Sequence, residues 1–498
     1  MIVGPTFFTV NAFEANAASS TGSVPSGYQN QTLPKTIDLN HCTEAEVRAY
    51  YSDLEGGDYS GTDLLKALKP ILMHNQQYHK YDGGSWVWQA YEITDRDWTL
   101  SPASSTTYGT YDSATNKITN YQYGTNSTPR NNPYQHLYYR NRGVEAGYHK
   151  AWDQHGNNNG TDREHIWPKS RGFGKDDKNI EYAVAGARGD LHHLVAGDSY
   201  VNSSTHSNNP YGFVKMDTVT DNAGEKYKIN NTVVVAGNYR GKALNIDSGA
   251  IEVFEPQDCD KGDIARACFY MVARYNNLAG NDPVIDAGNP NLTLDDAVST
   301  DTVMSTASKA VSLGVLRDLL AWNRLDPPDA YEIYRNDLIY RNYDKNRNPF
   351  IDFPDWAEVI WGDVEMEADG RTIKARNAAP KGVAKPSTAT LNAFAGSGEA
   401  SSSQSQESSS SQASSQTSAS QSGTSAASSA SSGGEGGNAG FTLSIPIIIA
   451  IAAGVILIVA ILIIIATKGK GKAKKAARKT LKNAAKSTTK KSSGKKKK

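Results

Sequence analysis

Six of the chain's ten histidines fall from His149 to His206, and three segments in or beyond that stretch carry residues suited to hydrolysis. The first is Asp162-Arg163-Glu164-His165-Ile166-Trp167-Pro168-Lys169-Ser170. The second is Asp190-Leu191-His192-His193-Leu194, which leads into Asp198-Ser199-Tyr200-Val201-Asn202. The third is Asn346-Arg347-Asn348-Pro349-Phe350-Ile351-Asp352, preceded by Glu332, Arg335 and Asn336. A glutamate next to a histidine places a metal ligand beside a proton acceptor. The carboxylate is a hard oxygen donor suited to Mg2+, which keeps several waters and needs only one or two protein oxygens beside a substrate phosphate. A neutral imidazole takes a proton from water near neutral pH and yields the hydroxide that attacks phosphorus. The His192-His193 pair fits a satisfied core pair or a transition-metal site.

These residues need elements to hold them. Adjacent residues on a regular strand point to opposite faces, so Glu164 and His165 share a site only where a strand ends or bulges. Pro168 favours an ending, because it restricts Trp167 and interrupts a ladder. Asp198 suits an N-cap, which puts Asn202 in the first turn or so of a short helix with its amide oxygen offered as a second, neutral ligand. Strand, strand and helix then converge on one cation. Elsewhere the patterning predicts helices over 64–74, kinked or ended by Pro70, over 262–275 with an apolar face at Ile264, Cys268, Met271 and Val272, and over 313–323. Strands are predicted over 226–235 and 249–254. The whole reads as a mixed α+β domain of about 300 residues.

Taken in order, Glu-His-x-Trp-Pro, Asp-Leu-His-His-Leu, Val-Asn-Ser-Ser and Asn-Arg-Asn-Pro-Phe-Ile-Asp closely resemble the endonuclease I family of secreted bacterial nucleases, which includes extracellular ribonucleases. Residues 90–95, 261–266 and 322–336 resemble the same family, and the likeness covers residues 60–365. It implies a ββα-metal nuclease core, Mg2+ as the cofactor with Ca2+ or Mn2+ as alternatives, and cleavage of DNA and RNA with little sequence preference. By the same resemblance His165 is the general base, Glu164 and Asn202 hold the metal, and His192 and Arg188 complete the catalytic group, His192 in support. Arg163, Lys169, Arg171, His206 and Arg347 are expected at the substrate, although the motif of Arg347, with Asn346 and Asn348, equally suits bracing. Many members carry an arginine three residues after the metal asparagine, where this chain has Thr205. That phosphate contact is either missing or moved to His206, Arg188 or Arg171.

The chain's 52 Lys and Arg balance its 52 Asp and Glu, but residues 468–498 hold fifteen basic residues and no acid. The first 467 residues therefore carry 37 basic against 52 acidic groups, a net of −15. Before that tail, residues 445–466 run for 22 positions without a charge, long enough as a helix to span roughly 33 Å of hydrocarbon. A basic tail beside a spanning helix marks the cytoplasmic face and attracts anionic lipid. Residues 397–440 read as a disordered stalk, with 19 Ser in the 42 residues from 397 to 438, a composition that cannot bury a core. Residues 1–17 resemble the end of a signal peptide, with Ala15-Asn16-Ala17 as a small-residue cleavage site. The expected plan is an N-terminal extension (18–59), a nuclease domain (60–365), a connector (366–396), the stalk, one transmembrane helix and the tail. Such a chain is a single-pass membrane protein with its nuclease domain outside and no obligate protein partner.

An apolar fraction of 38% excludes a wholly disordered chain, and three cysteines exclude a disulfide framework while leaving a Cys259–Cys268 bridge open. The acidic exterior is unfavourable for a polyanion, whose affinity rests largely on phosphate neutralisation. A local cluster of Arg163, Lys169, Arg171, Lys175 and Lys178, together with the cation, must supply the positive field. Two rival readings share these residues: an inactive surface module that binds nucleic acid or wall polymer, and a phosphodiesterase for another ester such as teichoic acid.

Overall fold

The computed structural model describes residues 32–391, apart from internal segments of which the longest are 125–133, 146–160, 173–185, 279–290 and 299–309. The predicted signal remnant, stalk, transmembrane helix and basic tail lie outside the described residues, as do Lys175 and Lys178. Among the described residues no helix is long and apolar enough to cross a membrane.

At the centre, strands β1 (Thr161–His165) and β2 (Leu194–Asp198) pair antiparallel, with Glu164 opposite Val195 and His165 opposite Leu194. β1 stops at His165, three residues before Pro168. The chain leaves β2 straight into a helical turn that becomes a π-helical segment, Val201–His206. Asp198 Oδ1 accepts the Val201 amide at 3.0 Å, the side-chain cap its position predicts. β2 is buried on both faces because it separates two cores: Leu194 and Ala196 enter one, Val195 the other.

The larger core surrounds α-helices that arrive from both sides of the motif region in sequence: α1 (Gly61–Met73), α3 (Lys261–Tyr275), α4 (Leu316–Leu325) and the short α6 (Pro349–Asp352). The smaller core lies between α2 (Trp86–Thr94) and α5 (Ala330–Asn342). α1 continues three residues beyond Pro70, so the proline neither ends it at once nor keeps it from reaching Met73. α3 departs from the one-sided helix its pattern predicts, since all fifteen of its residues are buried. Its charges are matched inside: Arg266 pairs with Glu332 and Asp263, and Arg274 donates to Gln76. A buried guanidinium is tolerated only with such partners.

The predicted strand over 226–235 is a small hairpin, Lys228–Ile229 with Thr232–Val233, and the strand predicted over 249–254 is Glu252–Glu255, paired to Tyr239–Lys242. The folded unit also exceeds its predicted bounds. Ile37, Val47, Tyr51 and Leu54 are core residues, and Tyr51 donates to Asp352 at 2.8 Å. Beyond 365, the hairpin of Asp363–Met366 with Ile373–Asn377 contributes Val364 and Ile373 to the core, and Ala384 bonds back to the Tyr59 carbonyl. Cys42, Cys259 and Cys268 are all free thiols, so the disulfide left open above does not form.

The turn that leads into β2 is fixed by buried polar groups from distant elements. Asp190 accepts from Gln76, Tyr270, Tyr275 and the His192 amide. Arg335 donates to the carbonyls of Leu191 and Leu194, both at 2.7 Å, and pairs with Asp95. Asp95 in turn accepts the Ala196 amide. Each buried polar group left without its partner would cost about 1–3 kcal/mol, so this network sets the start of β2 and, through the ladder, the end of β1.

Candidate active site

Glu164 and His165 engage different surroundings on the two faces of β1. Glu164 is buried, and its Oε1 accepts from the Tyr139 hydroxyl at 2.9 Å and faces His206 Nδ1 at 2.8 Å. Burial raises the Tyr139 and Tyr211 phenols far above their ordinary range, so both remain neutral donors. Tyr211 Oη stands 3.3 Å from Tyr139 Oη and donates to the Ile166 carbonyl, which ties this arrangement to the end of β1. Gly197 makes the approach of Glu164 possible. A Cβ at that position would lie 2.8 Å from Glu164 Cβ.

On the other face, His165 Nε2 is 3.0 Å from the Arg188 carbonyl. A carbonyl only accepts, so Nε2 carries the proton and Nδ1 is the basic nitrogen of the neutral ring. Burial, reinforced by His193 and Lys169, holds His165 well below the usual histidine range and keeps it neutral. The ring packs edge-on against Tyr81 (centroids 4.6 Å apart) and lies 5.3 Å from His193. Burial pushes His193 down to about 4, and its Nε2 donates to the Ala187 carbonyl. His192 is bonded through Nε2 to the Asn346 carbonyl and side chain, a supporting position that lowers its basicity through burial.

Tyr81 organises the local positive charge, a role its sequence position does not reveal. The guanidinium of Arg163 lies 4.2 Å from its ring centroid, the Lys169 ammonium 4.6 Å and the Arg188 guanidinium 5.5 Å. Arg163 also donates to the Tyr81 carbonyl, and Lys169 to its hydroxyl. Three of the expected basic residues are thus gathered beside His165. Asn202 is half-buried in the π-helical segment, four residues before His206.

Three expected substrate contacts are placed otherwise. Arg347 is buried, bidentate to Asp352 and paired with Asp337, so its donors are spent bracing α5 against α6. His206 is buried against Glu164 and the Asn209 carbonyl, a partner of the carboxylate rather than an exposed phosphate ligand. Arg171 is buried, with Nε on the Asn208 carbonyl, and burial lowers it to about 10. Thr205, standing where a family arginine is expected, donates to Asp221. The neighbours that sequence reading missed, Tyr81, Tyr139, Tyr211 and Gly197, carry no local motif.

The model of the Endonuclease I family matches residues 60–355, which include both strands, the π-helical segment and α6. The chain belongs to the endonuclease I family. An extracellular ribonuclease of Bacillus amyloliquefaciens is 33% identical over 330 residues, covering 66% of this chain and 83% of that protein. An extracellular ribonuclease of Bacillus subtilis (strain 168) is 37% identical over 207 residues, 41% of this chain and 56% of that protein. The chain is accordingly a nuclease, and nucleases of this family are generally metal-dependent. Its residues suit such an ion. Among the described residues the donors that meet Glu164 do so on Oε1, so Oε2 is the oxygen it would offer a cation, and the Asn202 amide is a hard oxygen donor on the segment that also carries His206.

Proposed function

We propose that the chain is a non-specific endonuclease that hydrolyses phosphodiester bonds of extracellular DNA, RNA or both, with His165 as general base. The observation that carries this reading is the hydrogen bond from His165 Nε2 to the Arg188 carbonyl, which holds a neutral imidazole with Nδ1 as the proton acceptor. Nδ1 takes a proton from the attacking water as that oxygen bonds to phosphorus, the opposite P–O ester bond breaks, and the leaving oxygen takes its proton from solvent. Arg163 and Lys169, held against Tyr81 beside the base, bind the phosphates flanking the scissile bond. Tyr139 and His206 fix Glu164 from the inner side. Glu164 and Asn202 would hold Mg2+, which when bound supplies charge stabilisation to the phosphate and the leaving oxygen. The test is incubation of the purified chain with plasmid DNA and with RNA in Mg2+, with and without chelator. Metal-dependent degradation that His165→Ala abolishes supports the proposal. An intact protein that cleaves neither polymer under any divalent ion would overturn it in favour of a binding module.

The names of the relatives support an extracellular site of action. We further propose that residues 445–466 anchor the chain in the membrane with the nuclease domain outside, because 22 uncharged residues are followed by fifteen basic ones. Removal of residues 445–498 should move activity from washed membranes to the medium; equal release of both forms would refute the anchor.

A further inference from the structure

A second group of ligand-type side chains lies apart from the Glu164 and His165 pair. His136, Asp260 and Asp263 are all buried, and one ligand atom from each lies within 4.8 Å of the other two. We propose that these three residues hold a structural first-row divalent ion, Zn2+ or Mn2+. One imidazole with two carboxylates is a donor set for such ions rather than for Ca2+, whose sites are all-oxygen. His136 comes from a distant part of the chain and the two aspartates from one helix start, and each is fixed. The His136 ring stacks on Tyr331 with centroids 3.5 Å apart and planes 8° from parallel. Asp260 and Asp263 flank the start of α3, which is buried along its whole length.

Two carboxylates stand beside one imidazole in the interior. Asp263 pairs with Arg266, which also pairs with Glu332. Asp260 Oδ2 accepts from the Tyr139 amide and the Gln257 side chain, and Oδ1 faces the Cys259 thiol. Adjacent Lys261 turns to Glu255 and Asp258. Carboxylates held this close in a buried region repel one another, and a divalent ion reverses the sign of that interaction. Shifts of a few tenths of an ångström up to about one ångström would bring the three atoms to the roughly 2.0–2.2 Å that such ligands adopt.

The site also reaches the nuclease centre. The Tyr139 amide donates to Asp260 at 2.7 Å while its hydroxyl holds Glu164 at 2.9 Å. An ion on Asp260 therefore fixes the backbone of the residue that orients Glu164. This coupling rests on the proposed role of Glu164, whereas binding of the ion does not.

The experiment uses the purified full chain carrying Glu164→Gln, which disables the other candidate site. After chelator treatment, reloading with Zn2+ or, in parallel, Mn2+ and gel filtration, it should retain one ion per chain by elemental analysis. X-ray absorption of that ion should show one imidazole among oxygen ligands. Adding His136→Gln should weaken retention at least tenfold. Failure of the Glu164→Gln chain to retain an ion, an all-oxygen spectrum, or unchanged retention without His136 would each overturn the proposal. Should the double variant not fold, the spectrum of the single variant decides. The parent chain, loaded and assayed in parallel, separates the two readings: a parent that retains the ion here but cleaves neither DNA nor RNA in Mg2+ counts against the function proposed above and leaves this inference standing.

Discussion

His206 Nδ1 stands 2.8 Å from Glu164 Oε1, and the other nitrogen of the same ring faces the Asn209 carbonyl at 3.1 Å. The π-helical segment that carries Asn202 thus clamps the Glu164 carboxylate through His206. His206→Ala should leave the fold intact and raise the Mg2+ concentration for half-maximal activity by about 10–100-fold, the usual effect of losing a group that orients a metal ligand. A metal titration of plasmid cleavage reads this directly. An unchanged metal requirement would show that Tyr139 alone suffices to hold Glu164.

Gly197 tests the same carboxylate through space. The missing Cβ would lie 2.8 Å from Glu164 Cβ and 3.8 Å from the Tyr139 ring. With β2 buried on both faces, neither strand has room to retreat. Gly197→Ala should cost about 1–3 kcal/mol of stability and reduce kcat far more than KM, because the ligand is displaced while the basic residues around Tyr81 are untouched. Denaturant unfolding and steady-state kinetics on one preparation separate the two effects.

Tyr81→Leu removes the ring that three cations share. Each such contact contributes about 0.5–2 kcal/mol, so KM should rise several-fold and cleavage should become more sensitive to salt as Arg163 and Lys169 lose their fixed positions. Tyr81→Phe keeps the ring and gives up only the hydrogen bond from Lys169, so it should stay close to the parent. Equal effects of the two changes would mean that the hydroxyl, not the ring, does the positioning.

Arg347 shows where the sequence was readable and where it was not. Its motif marks the family, yet nothing in Asn-Arg-Asn-Pro reveals whether the guanidinium meets phosphate or the two aspartates that enclose it, since Asp337 sits on another helix. The order of β1, β2 and the following helical turn was legible because Pro168, Asp198 and the histidine spacing act over a few residues. Tyr81, Tyr139 and Tyr211 reach the site through contacts between positions far apart in the chain. α3 misleads for the same reason, because its arginines look like a solvent face until Glu332 and Gln76 arrive from elsewhere.

The buried status of Arg347 makes a sharp prediction. Arg347→Ala takes the guanidinium from both Asp352, which keeps Tyr51 and Asn336, and Asp337, which keeps His41, and should cost about 3–5 kcal/mol, seen as a large fall in the denaturation midpoint. Loss of a surface phosphate contact would instead leave stability alone and reduce the salt dependence of binding. An Arg347→Ala protein of parental stability would return Arg347 to the substrate.

The pH dependence of stability follows from the histidines around β2. His193 falls from an ordinary 6.5 to about 4 because burial disfavours its charged form, and His165 and His192 shift in the same direction. A group with a depressed folded-state value binds its proton more readily when unfolded. The stability it contributes is therefore fully present above pH 6.5 and is lost as pH falls toward 4. For His193 alone the difference is on the order of 3 kcal/mol. Chemical denaturation from pH 8 to pH 4 should show stability level at the upper end and falling steeply below pH 6.5. His193→Gln should flatten that fall, because glutamine cannot take up the proton in either state. The same neutrality of His165 places the acid limb of kcat/KM below pH 6.5, and an acid limb above pH 7 would show that another group, or a charged His165, controls the attack.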